Sequence, residues 1–265
     1  MNARVNLPMV LLATLVAGGV PTQALAQEPV PTRVMIRVVA NDAKLIGSGV
    51  GGARITVRDV RHGTVLAEGV QEGRTGNTRA IIVEPHVRHA PIYDTEGAAG
   101  FLATLPLVEP TVVEIAAEGP LGTPDDLRRA TRTMLLVPGQ DVLGDGVVLA
   151  LQGLTVELNA PHGQTPEIPA GQPLDVRARV TMLCGCPTEP GGLWDAADIR
   201  IEARLLQRGR VVASVPLTFT GQTSHYGGSM STPTAGEYVL EVLAMDPTHG
   251  NFGRVRRLVQ IRSGR

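Results

Sequence analysis

Lysine is all but absent from this chain: Lys44 stands alone among 24 basic residues, the rest being arginine. That bias reads as codon composition rather than phosphate recognition, because a formal net charge of −1 leaves no field of one sign to steer a polyanion. Aromatic residues are nearly as scarce, with one Trp, three Tyr and three Phe in 265 residues, so no stacking platform for nucleic-acid bases can be assembled. Two cysteines are too few for a disulfide-dense scaffold. Catalytic signatures are missing as well: there is no serine-nucleophile elbow, no H-E-x-x-H, and no pair of acids with a structural reason to converge. These absences argue against a nucleic-acid binder and leave a non-catalytic chain as the expectation.

What the chain does have is 43% apolar residues, enough for one or two packed cores, punctuated by 31 Gly and 20 Pro. A long apolar run opens it. Arg4 precedes Leu7 to Val20, and Ala24-Leu25-Ala26 supplies small residues for cleavage, so residues 1–26 are expected to be a secretory signal peptide cut before Gln27. Gly18, Gly19 and Pro21 interrupt the run, which is too short for a membrane span, and Gln27 is not the Cys of a lipoprotein. The expectation is a soluble protein of the periplasm or the extracellular space, where free thiols meet oxidants.

After Pro29 and Pro31 the pattern is short β-branched runs in alternation, separated by Gly, Pro, Asn and Asp, which predicts an all-β chain. Strands are expected at Val34 to Val39, at Ala53 to Arg58 returning through Arg61-His62-Gly63 into Thr64 to Ala67, and at Gly100 to Leu105, Val112 to Ala117, Thr133 to Val137 and Val147 to Leu158. One short helix is expected over Pro124 to Ala130, capped by Thr123. Pro161-His162-Gly163-Gln164-Thr165-Pro166 reads as a linker, dividing the chain into domains at 27–158 and 159–265. In the second, strands B to G fall at Pro173 to Met182, Ile199 to Leu206, Arg210 to Thr218, Ser224 to Thr232, Gly236 to Val242 and Gly253 to Ile261.

Gly52-Ala53-Arg54-Ile55-Thr56-Val57-Arg58-Asp59, followed by Gly63-Thr64-Val65-Leu66-Ala67-Glu68-Gly69, resembles the opening hairpin of carboxypeptidase regulatory-like (transthyretin-like) β-sandwich domains, which implies a non-catalytic module. Ala235-Gly236-Glu237-Tyr238 before an alternating strand resembles the corner tyrosine of immunoglobulin-like and fibronectin type III sandwiches. The fold expected is two antiparallel β-sandwiches in tandem. Tyr238 should bond backbone near the E–F connection, and Trp194 should pack under the B–C loop.

Three motifs invite a functional reading. Gly47-Ser48-Gly49-Val50-Gly51-Gly52 matches G-x-G-x-x-G, but a strand follows where phosphate binding needs a helix N-terminus, so it predicts a loop and no dinucleotide cofactor. His86-Val87-Arg88-His89, near Glu84, Tyr93 and Asp94, has metal-ligating side chains without a regular frame and reads as a solvated loop. The informative segment runs from Met182 to Asp195, holding Cys184-Gly185-Cys186-Pro187 and Trp194.

The two cysteines leave three readings open. They form a disulfide, as an even count in an exported chain suggests. They hold a soft ion as thiolates, Cu(I) before Zn(II). Or they take part in thiol–disulfide exchange, although the usual βαβ context is missing. In a sandwich with this strand order the B–C, C′–E and F–G connections share one end, so His225 and His249 can join Cys184 and Cys186 there, with Met182, Met230 and Met245 as further ligands. Each of these residues also has a structural reading: a turn histidine, or a methionine in the core. The expected function is a non-catalytic binding protein with a copper site at that rim. The alternative is a protein-interaction module of an envelope assembly, stapled by Cys184–Cys186.

Overall fold

The computed structural model describes residues 27–263, and the expected signal peptide lies outside the described residues. Alternation produces the strands of the first sandwich: β1 (Val30–Ala40), β2 (Ala53–Asp59), β3 (Val65–Gln71), β4 (Phe101–Leu107), β5 (Thr111–Gly119), β6 (Arg128–Leu136) and β7 (Val142–Leu151). They form a three-stranded sheet ordered β4-β1-β7 over a four-stranded sheet ordered β3-β2-β5-β6. In β5 every second residue from Val113 to Ala117 faces inward and joins Val34, Ile36 and Val38 of β1 in one apolar core. Gln71 is fully buried between the sheets, where its amide spans the Val38 N–H and the Val38 and Ile46 carbonyls. The hairpin that carries the carboxypeptidase-regulatory resemblance is formed by β2 and β3, with Arg58 opposite Val65.

The second sandwich comprises β8 (Leu154–Ala160), β9 (Glu167–Pro169), β10 (Pro173–Met182), β11 (Arg200–Gln207), β12 (Arg210–Pro216), β13 (Thr218–Phe219), β14 (His225–Ser231), β15 (Gly236–Asp246) and β16 (Asn251–Arg262). Its sheets are ordered β13-β14-β10-β8 and β12-β11-β15-β16-β9. Assigning β8, β10, β11, β12, β14, β15 and β16 to strands A, B, C, C′, E, F and G gives the four-stranded sheet A-B-E plus an edge, and the five-stranded sheet C′-C-F-G plus a short second A segment, β9.

Four expectations need correction. The expected strand Val147 to Leu158 is two strands, because Gly153 (φ +143°) turns the chain; β7 pairs with β1 and β8 with β10. The change of sandwich therefore falls at Gln152-Gly153, ahead of Asn159, and Pro161 to Pro166 is a loop within the second sandwich. The expected helix at Pro124 to Ala130 shrinks to a single 3-10 turn, Pro124–Asp126, with no side-chain cap from Thr123, because pairing with β5 from Gly119 opposite Arg128 claims the following residues as β6. The sheets are otherwise antiparallel as expected, with one parallel edge pair in each sandwich, β1 with β7 and β9 with β16. The expected C′ strand stops at Pro216, and Thr218–Phe219 crosses to pair with β14.

Two residues separate β7 from β8, so the sandwiches touch directly. Asn251, fully buried, accepts from the Gly153 N–H at 3.0 Å and from Asn41 Nδ2 at 3.4 Å, while Asn41 Nδ2 also donates to the His249 carbonyl at 2.8 Å. Trp194 Nε1 donates to the Asp42 carbonyl at 2.8 Å. Buried apolar side chains of both halves, Leu151 and Leu154 among them, form one continuous cluster.

Candidate functional site

The Cys-Gly-Cys segment forms a turn at the end of β10. The Met182 N–H donates to the Cys186 carbonyl at 3.0 Å and the Gly185 N–H to the Met182 carbonyl at 2.8 Å, which requires the left-handed conformation that Gly185 adopts (φ +77°). Cys184 and Cys186, both buried, are joined as a disulfide with their Cα atoms 5.4 Å apart. A Cβ at Gly185 would stand 2.8 Å from Val50 Cγ1 of the first sandwich, so the turn seats against that residue. Cys184, Gly185 and Arg179 form one wall of a cleft of about 390 Å³, whose other wall is Gly49, Val50 and Gly122.

Beyond the turn, Thr188 ties the B–C loop to the C′–E connection. Its hydroxyl lies 2.8 Å from both the Val180 carbonyl and the Tyr226 hydroxyl, and its N–H donates to Ser224 Oγ at 3.1 Å. Burial pushes the Tyr226 phenol above its ordinary range, against the opposing effect of the Thr188 bond. Asp195 accepts from the Ala197 N–H at 2.9 Å and sets the chain back toward β11. Trp194 is buried, as expected, but against the first sandwich as well as under its own loop.

The B–C, C′–E and F–G connections do share one end: Thr188 meets Ser224, and Trp194 lines a small cavity with Asp246 and His249. The candidate ligands are divided within that end. His225, half-buried at the start of β14, has Nδ1 2.8 Å from the Thr223 carbonyl and sits opposite Arg179 in the sheet. His249 has Nδ1 2.9 Å from Asp246 Oδ2 and Nε2 3.7 Å from Asp42 Oδ2. The bond to Asp246, with the charges of Asp42, Asp246 and Asp198, holds the His249 imidazole above its ordinary pKa. Met182 and Met230 are core residues, and Met245 Sδ lies 3.4 Å from Arg200 Nη2. Among the described residues no group of three or more His, Cys, Asp or Glu is disposed to hold a metal ion.

Gly47 to Gly52 is a loop with a 3-10 turn at Ser48–Val50, and His86 and His89 lie exposed, with His86 Nε2 3.1 Å from the Ile81 carbonyl. Sequence reasoning missed Asn41, Asp42, Val50 and Asn251, the residues of the joint. The one available signal was the glycine density at 47–52, which marks a close approach of backbone but does not say to what.

No protein-family model matches the chain, and no curated protein sequence matches it. Among solved structures it is similar to an engineered protein at 19% identity, covering 48% of this chain and 24% of that one, with a TM-score of 0.31. This chain thus spans under a quarter of that protein. It is also similar to the fibronectin(III)-like modules of Clostridium thermocellum CbhA (12% identity, 88% of this chain and 94% of that one, TM-score 0.30). Titin Ig tandem domains A164-A165 give 11% identity over 89% of this chain and 99% of that one, with a TM-score of 0.26. The class of the second sandwich follows from its own strands: their order across the two sheets, and the Tyr238 hydroxyl donating at 2.8 Å to the Thr234 carbonyl between E and F, make it an immunoglobulin-like β-sandwich.

Proposed function

We propose that this chain is an exported, non-catalytic protein-binding module that presents the rim of its second sandwich to a partner in the cell envelope. The observation that supports this reading is the B–C loop: it is fastened at Cys184–Cys186, Thr188 and Trp194, yet it holds Leu193 57% exposed at its tip. An apolar side chain on a preorganised loop binds without first paying to order itself. A photo-cross-linking residue at Leu193, in the full chain expressed with residues 1–26, should give one discrete adduct in the envelope fraction. The same residue at Leu143, exposed on β7, should not. Adducts of equal pattern from both positions, or a chain retained in the cytoplasm, would sink the reading.

A second reading keeps the copper expectation in reduced form. What favours it is that Cys184 lines the same cleft as Arg179, the sheet partner of His225. Reduced Cys184 and Cys186 would hold one Cu(I), with His225 as the closing ligand and His249 left with Asp42 and Asp246. Reduced protein should then compete with a Cu(I) chelator at one equivalent, and Cys184→Ser should abolish the competition. Unchanged competition in that variant, or copper binding by the oxidised protein, would remove this reading.

A further inference from the structure

We infer that Cys184–Cys186 is a redox modification site whose state governs the cleft between the two sandwiches. Three observations carry this, and none depends on the identity of a partner. The disulfide lies in the turn that touches the other sandwich, with Gly185 seated on Val50. Cys184 lines the cleft, which places a reductant entering it beside the disulfide although both cysteines are buried. The turn's own backbone bonds are two, Met182 N–H to the Cys186 carbonyl and Gly185 N–H to the Met182 carbonyl.

The facing wall is the more firmly held. The Val50 carbonyl accepts from the Gly122 N–H at 2.8 Å, its N–H donates to the Gly47 carbonyl at 3.1 Å, and the Leu121 N–H donates to the Gly52 carbonyl at 3.0 Å. A change of shape on reduction therefore falls on the Cys-Gly-Cys side. The bond holds the two Cα atoms at 5.4 Å, whereas two residues of extended chain reach about 7 Å, so release lets the turn lengthen and lift from Val50. A loop this short contributes little closure entropy to the unfolded chain, so the bond can open without unfolding the sandwich.

The reaction is a thiol–disulfide exchange with a dithiol, small or carried by a protein. A thiolate of the dithiol attacks Cys184 Sγ, the bond to Cys186 Sγ breaks, and the second thiolate resolves the mixed disulfide. The dithiol closes to its own disulfide, and two electrons and two protons pass to the pair, leaving Cys184 and Cys186 as thiols.

The test uses the full chain, oxidised and then treated with dithiothreitol under native conditions, with two readouts. Trp194, the one tryptophan, reports on the joint by its fluorescence, and amide hydrogen exchange reports on residues 47–52 across the cleft. Two thiols should become titratable, Trp194 emission should shift to the red, and exchange at Gly51 and Gly52 should quicken by at least about threefold, all reversing on reoxidation. Val50→Ala should show the faster exchange while still oxidised and respond less to reductant. Faster exchange confined to residues 183–198, or a disulfide that yields only when the whole chain unfolds, would overturn the inference; the wild-type comparison decides this even if Val50→Ala does not fold.

Discussion

Tyr238→Phe removes a hydroxyl from a side chain that is otherwise fully packed, leaving the Thr234 carbonyl without its donor at 2.8 Å. Stability should fall by about 1 kcal/mol, read as a lower denaturant midpoint at unchanged slope. This residue was legible because a Gly-x-Tyr ahead of an alternating strand is a local pattern, and the bond it makes is local too. His249 was legible only as a turn residue at the rim. Its main distant partner, Asp42, belongs to the other sandwich, and nothing in local spacing points there. The sign of its pH effect follows from the raised pKa: the protonated ring is favoured in the folded state. The stabilisation is complete below the unfolded pKa of about 6.5 and is lost as pH rises through the higher folded value. The melting temperature should decline as pH rises above about 6.5, and His249→Gln should flatten that decline. An identical profile in the variant would take His249 out of the joint's electrostatics.

At the scale of elements, most strands could be read from alternation because each has one wet face. The failures share a cause. Arg128 to Ala130 has helix-compatible residues, yet its backbone groups pair with β5, and a ladder formed by distant residues overrides a weak local preference. Val147 to Leu151 is an unbroken apolar run and Leu154 to Leu158 alternates directly after it, so both read as strand and only Gln152-Gly153 marks where one strand becomes two. A Cβ there would enter a left-handed conformation 2.9 Å from Arg128 Nε and 3.1 Å from the Phe252 carbonyl. Gly153→Ala should therefore cost about 1–3 kcal/mol in chemical denaturation, more than a surface glycine in a strand would.

For the molecule as a whole, the continuous core and the buried Asn251 predict that the chain unfolds as one unit. Calorimetry should show a single transition rather than one for each sandwich. Asn251→Ala leaves the Gly153 N–H buried and unpaired, and it should lower stability by about 1–3 kcal/mol and broaden or split that transition. Two well-separated transitions in the unmodified chain would mean that the joint contributes little. The two-sandwich plan was visible in the sequence, but its intimacy was not, because the residues that make it come from chain segments far apart and are individually ordinary: an Asn-Asp turn, a valine among glycines, an asparagine at a strand start.

The bond from Trp194 to the Asp42 carbonyl has a consequence for inheritance. Tandem sandwiches on slack tethers can be cut apart by recombination and reused one at a time. Here an exchange of either half would face the indole with a foreign surface and leave its N–H buried without a partner. Descendants of this chain should carry both halves together, with changes at the Asn41-Asp42 turn matched by changes around Trp194 and Asn251.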